Sequence, residues 1–91
     1  MAKKQKPIFD ALFREKPVMM LVTLLTSTEE MYASTLAKAV DCTYSHVVKV
    51  LQQMNKAGLV SFHKRGRLKI LSLTKKGTKV AEHLNDVHKT L

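Results

Sequence analysis

Ninety-one residues make one small domain, and a chain with 45% hydrophobic and 25% charged residues is not wholesale disordered. Sixteen Lys and Arg against seven Asp and Glu leave a net charge of +9, which favours a polyanionic partner, nucleic acid ahead of an anionic membrane surface. The longest apolar run, Val18 to Leu25, is interrupted by Thr23 and is too short to span a bilayer. A single Cys excludes an internal disulfide framework and fits a reducing setting, so the expected location is cytoplasmic, in association with the nucleoid and with no membrane partner.

Residues 1–7 form a basic N-terminal arm carrying Lys3, Lys4 and Lys6, and residues 8–91 are expected to make a single domain that ends in a helix. Pro7 suits a helical first turn, where its missing N–H has no partner, and Ile8, Phe9, Leu12 and Phe13 recur at helical spacing. Pro17 punctuates, and Val18 to Thr26 reads as a second, largely buried helix; the two are one kinked element or two. After the polar loop 26–30, Met31-Tyr32-Ala33 fits a very short strand. Ser34 is the expected N-cap of a short helix that turns Leu36, Ala37 and Val40 inward and ends near Asp41-Cys42.

Thr43 caps the best-defined helix, about residues 43–57, in which Val47, Val50, Leu51 and Met54 form the apolar stripe. Gly58 follows as a left-handed C-terminal cap. Opposite the stripe lie Ser45, His46, Lys49, Gln52, Gln53 and Lys56, donors and acceptors beside two cations, as a groove-reading helix requires. Leu59–Lys64 and Arg67–Leu73 are β-rich runs joined by Arg65-Gly66, a hairpin spanning about 59–73 with Lys64, Arg65 and Arg67 at its tip and Lys69 just behind. Thr74 caps a last helix along which Val80, Leu84, Val87 and Leu91 repeat every three or four residues.

Charge is distributed unevenly along these elements. From Cys42 to Ala81 there are nine Lys or Arg and no Asp or Glu, while all seven acids lie outside. A solvated hairpin with lysines against edge pairing would explain the wing alone. It does not explain an acid-free helix face as well, because exposed helices ordinarily mix both signs. Lys75 and Lys76 sit in a helical first turn, where the macrodipole disfavours cations by about 0.3–1 kcal/mol each, and a bound phosphate would relieve that.

A short helix, a tight turn, a longer cationic helix and a basic hairpin occur here in the order of a winged helix-turn-helix. Leu36-Ala37 through Val40, then Val47, Leu51, Met54 and Gly58-Leu59-Val60, resemble the pattern of winged helix regulators. Arg67 followed by Leu73-Thr74-Lys75-Lys76-Gly77 resembles the wing and wing exit of the multiple-antibiotic-resistance-regulator (MarR) type, and the likeness covers about Val18 to Ala81. The resemblance implies a mainly α fold with a small β-hairpin, a recognition helix in the major groove and a wing over backbone or minor groove. By position it implies that Thr43, Tyr44, Ser45, His46 and Lys49 face DNA and that Arg67 is the wing arginine. Two departures stand out: Arg65 occupies the position where that family commonly has an Asp, which suggests a wing bound to backbone, and the chain is shorter than typical members.

The expected function is therefore sequence-specific binding of double-stranded DNA, in transcriptional regulation. Ser45, His46, Lys49 and Gln53 are expected on base edges, with Lys56, Lys64, Arg65, Arg67, Lys69, Lys75 and Lys76 on or near phosphates. The alternatives are a non-specific architectural nucleoid protein and a winged-helix protein-interaction module. A homodimer through the terminal helices would double the contacts and read two half-sites. No Cys-x-x-Cys or clustered His pair suggests a metal, no cofactor motif occurs, and no catalytic constellation is present, so a non-enzyme is expected. Cys42 is expected to be a small buried residue of the turn.

Overall fold

The computed structural model describes Ile8 and residues 12–91. In chain order it contains α1 (Glu15–Thr26), α2 (Ala33–Ala39), α3 (Tyr44–Lys56), β1 (Val60–Arg65), β2 (Leu68–Leu73) and α4 (Lys75–Thr90). This is the expected mainly α winged helix-turn-helix. The basic arm and Phe9 of the expected first helix lie outside the described residues, while Leu12 belongs to the core and Ile8 packs on it.

Helix α1 starts three residues earlier than Val18. A bend at Phe13-Arg14 separates it from Leu12, and Pro17 lies inside its first turn, where a missing N–H leaves no acceptor unmet. The helix buries Pro17, Met20, Leu21 and Val22 and packs mainly against α4. Met31 is not a full strand. Its carbonyl accepts the Leu71 N–H at 2.9 Å, an isolated bridge along the outer edge of β2.

The cap of α2 is Tyr32, and Ser34 is one of its helical residues. Thr35 displaces Ser34 because its Oγ1 accepts the Tyr32 N–H at 2.8 Å and donates to the Tyr32 carbonyl at 2.9 Å. At its other end α2 closes in a Schellman turn: the Cys42 N–H reaches the Ala37 carbonyl at 2.9 Å and Asp41 takes the left-handed position at φ 56°. Cys42 is half-buried. Lys16 of α1 donates its ammonium to the Val40 carbonyl at 2.8 Å, placing a cation on the orphan carbonyls at the end of α2.

Thr43 caps α3, its Oγ1 accepting the His46 N–H at 3.2 Å. Val47, Val50, Leu51 and Met54 are buried, and fully burying such side chains stabilises the fold by about 1.5–3 kcal/mol each. Gly58, at φ +80°, ends the helix in a second Schellman turn, with Leu59 N–H on the Met54 carbonyl at 2.9 Å.

The hairpin pairs Val60 with Leu73 through to Arg65 with Leu68. Its two-residue turn is Gly66-Arg67, one position later than Arg65-Gly66, because Gly66 takes the positive φ (62°) at the first turn position. Arg65 therefore ends β1 and Arg67 moves from a strand to the apex.

A single knot of hydrogen bonds joins α3, the hairpin and α4. Thr74 Oγ1 accepts the Gly77 N–H at 2.9 Å and donates to the Gly58 carbonyl at 2.6 Å, while the Thr74 N–H reaches the Leu59 carbonyl at 3.0 Å. Along α4 the expected stripe packs only in its first half: Ala81 is buried, Val80 and Leu84 half-buried, Val87 57% exposed and Leu91 fully exposed.

Candidate nucleic-acid interface

Helix α3 presents three strips of surface, set by its 3.6-residue period once the buried stripe faces the core. Farthest from the core are Ser45, Lys49, Gln52 and Lys56, all exposed. One flank, with Tyr44 (60% exposed), Val48 and Gln52, borders a groove of about 340 Å³ whose far wall is the wing: Phe62, Arg67, Leu68, Lys69 and Leu71. The other flank, with His46, Lys49 and Gln53, borders a cleft of about 420 Å³ closed by Arg14, Lys16 and Pro17 of the α1 start. Gln52 thus belongs to the outward strip although it was not among the expected contacts. Arg14 and Lys16 stand thirty or more positions from His46, Lys49 and Gln53 along the chain, beside Glu15, and only folding brings them to α3.

On the wing, Lys64 and Lys69 are directly opposite each other, a like-charge pair that is unfavourable by itself. Lys69 lies 5.7 Å from the Phe62 ring centre, which holds its stem against the groove. Arg67 is exposed at the apex.

The acid-free stretch is not acid-free in space. Glu30, from the α1–α2 loop, forms a bidentate pair with Arg65, at 3.0 Å to one guanidinium nitrogen and 2.9 Å to the other. Arg65, expected on phosphate, has its fork committed to a carboxylate here. Exposed pairs contribute about 0.2–1 kcal/mol, little enough for a phosphate to displace. Glu30→Gln is expected to cost less than about 1 kcal/mol of stability and to tighten DNA binding by no more than that amount, with the log–log salt slope unchanged, because Arg65 leaves the exposed pair for phosphate in either case. Weaker DNA binding in that variant would show instead that the pair holds the wing in its binding pose.

Lys75 and Lys76 lie at the C-terminal end of α3, about 20 Å along its axis from Thr43. Lys76 donates to the Ala57 carbonyl at 2.9 Å, where α3 leaves carbonyls unpaired and a cation is favoured. The unfavourable position in the first turn of α4 is therefore offset by a favourable one at the end of α3. Lys75 is exposed.

Among the described residues no group of three or more His, Cys, Asp or Glu is placed to hold a metal. No described helix is long and apolar enough to cross a membrane.

A short helix, a Schellman turn, an exposed polar helix and a two-stranded wing define a winged helix-turn-helix protein. The chain belongs to the HVO_A0114 family, whose model it matches over residues 14–80. Its structure is similar to that of AF1382 from Archaeoglobus fulgidus, at 27% identity and a TM-score of 0.80, over 90% of this chain and 93% of that one. It is also similar to the MarR family transcriptional regulator SPO1453 from Silicibacter pomeroyi, at 25% identity and a TM-score of 0.77, over 91% of this chain and 60% of that one. MepR of Staphylococcus aureus in complex with DNA shares the fold, with a TM-score of 0.73 and 19% identity over 80% of this chain and 56% of that one. The chain therefore spans little more than half the length of these two proteins.

Proposed function

We propose that this protein binds double-stranded DNA sequence-specifically and regulates transcription, with α3 in the major groove and the wing on the backbone or minor groove. The observation that carries the reading is the outward strip of α3, where Ser45, Lys49, Gln52 and Lys56 stand exposed with no acid among them, continuous through the groove with Arg67 and Lys69. Thr43, Tyr44, Ser45, His46, Lys49 and Gln53 lie at or near base edges in this reading, and Lys56, Lys64, Arg67, Lys69 and Lys75 near phosphates, joined by Arg65 when it leaves Glu30 and by Lys76 through the donors its Ala57 bond leaves free. The fold it shares with SPO1453 and the DNA-bound MepR supports it. Residues 8–91 act as one domain in this reading, with residues 1–7 as an added basic arm. The exposed Val87 on α4 and Leu91 just after it support a homodimer through the terminal helices.

Selection of a preferred site from random duplexes, followed by anisotropy titration, tests the proposal. A regulator prefers its site over random duplex by about 10³-fold or more, whereas an architectural protein shows no such ratio. Arg67→Ala is expected to weaken all sequences alike, and Lys49→Ala to relax preference at one base pair by about 1–3 kcal/mol. Equal loss on every sequence for Lys49→Ala would assign that residue to the backbone.

A further inference from the structure

We infer that the cleft between the α1 start and the His46–Lys49–Gln53 flank of α3 is a second phosphate site, with Arg14 as its ligand, on the DNA strand opposite the one the wing meets. The inference rests on the DNA-binding reading and adds to it a contact from an element outside the helix-turn-helix and wing.

The argument begins with dimensions. A helix with its side chains is about 10–12 Å across and the major groove of B-DNA about 12 Å wide, so a seated helix brings each sugar-phosphate wall against one flank. On the wing flank of α3 the cations are Arg67 and Lys69. On the opposite flank they are Arg14, Lys16 and Lys49, with Glu15 the one carboxylate lining the cleft.

The two α1 cations are not equivalent. Lys16 is half-buried with its ammonium on the Val40 carbonyl at 2.8 Å, which turns it away from solvent, fastens the start of α1 to the end of α2 and so fixes its place relative to α3. Arg14 has an anchored backbone, its N–H on the Leu12 carbonyl at 2.8 Å and its carbonyl accepting the Val18 N–H at 3.2 Å. Its side chain is exposed and makes no hydrogen bond or ion pair among the described residues. An uncommitted guanidinium on a fixed backbone, facing Lys49 across a cleft, matches a phosphate, whose oxygens the planar fork engages two at a time. Lys16 is a positioning residue in this arrangement and Arg14 the contact.

The test uses the full chain and its selected duplex in anisotropy titrations with wild type, Arg14→Ala, Arg14→Lys and Arg67→Ala. Duplexes in which single phosphates are replaced by neutral methylphosphonates complete it. Arg14→Ala is expected to weaken binding about fivefold and to flatten the log–log salt slope by about 0.9, while Arg14→Lys keeps the slope and recovers part of the affinity. One methylphosphonate position should weaken wild type but not Arg14→Ala, and it should lie on the strand opposite the position that behaves so for Arg67→Ala. Unchanged affinity and slope in Arg14→Ala, with Arg67→Ala impaired, overturns this inference and leaves DNA binding standing. Equal losses for wild type and Arg14→Ala at every methylphosphonate overturn it too. Absence of duplex binding by wild type overturns the DNA-binding reading and this inference together.

Discussion

Gly77→Ala is expected to destabilise the protein by about 3 kcal/mol or more, lowering the thermal midpoint by about 12–24 °C for a domain of this size. Helix propensity alone points the other way, since Ala is favoured over Gly by about 1 kcal/mol in a helix interior. Packing decides. A Cβ at position 77 would stand 1.8 Å from the Leu59 carbonyl oxygen and 2.7 Å from its carbon, both backbone atoms. That oxygen cannot simply withdraw, because it accepts the Thr74 N–H at 3.0 Å and follows the Schellman turn that ends α3. Relief would have to come from α4 lifting away, which uncovers Ala81 and Leu59. Gly58→Ala is the control: nothing lies within 4 Å of its added Cβ, so only the left-handed backbone is opposed, at about 1–2 kcal/mol. Thermal melts of the two variants by circular dichroism check the ranking. A midpoint for Gly77→Ala within about 2 °C of wild type would mean that α4 does not dock on Leu59.

Duplex affinity is expected to fall about a thousandfold between 50 and 200 mM monovalent salt, from about six phosphate contacts proposed for one chain and a log–log slope near −5. In the proposed reading the six are Lys56, Lys64, Arg65, Arg67, Lys75 and Lys76; Lys69, over the Phe62 ring, is not counted, and the Arg14 contact inferred above adds about 0.9 to the slope. Their intramolecular ties make the slope diagnostic. If Arg65 stays on Glu30 and Lys76 turns to Ala57 alone, four contacts remain, the slope is about −3.6 and the loss about 150-fold. The steeper value is expected, because the Arg65–Glu30 pair is exposed and a lysine ammonium carries three donors, enough for a carbonyl and a phosphate together. A slope near zero would remove DNA as the partner.

The local choices of this chain were legible wherever one short-range force dominates. Apolar spacing located α3 and its buried face, Thr43 and Thr74 located two helix starts, and Gly58 located a stop, since each depends on neighbours within four positions. Errors fell where two local options compete on nearly equal terms. Ser34 and Thr35 are both capping types, and Thr35 won through a bond to Tyr32. Pro17 ends helices in their interiors but is harmless in a first turn, so it marked no boundary.

The surface divides in the same way. Composition and charge order along the chain determined that a folded cationic face exists and that α3 and the wing carry most of it. No pattern along the chain could show that Glu30 neutralises Arg65 thirty-five positions away, that Lys76 caps the end of α3, or that Arg14 closes a cleft beside Lys49. Those pairings depend on how α1, the hairpin and α4 dock, and docking follows from burial of side chains drawn from every element at once. The sequence by itself determined the winged helix-turn-helix and the sign of its charge. Only the tertiary structure decided which cations are already engaged and which remain exposed and uncommitted, because coupling between charges acts over distance in space.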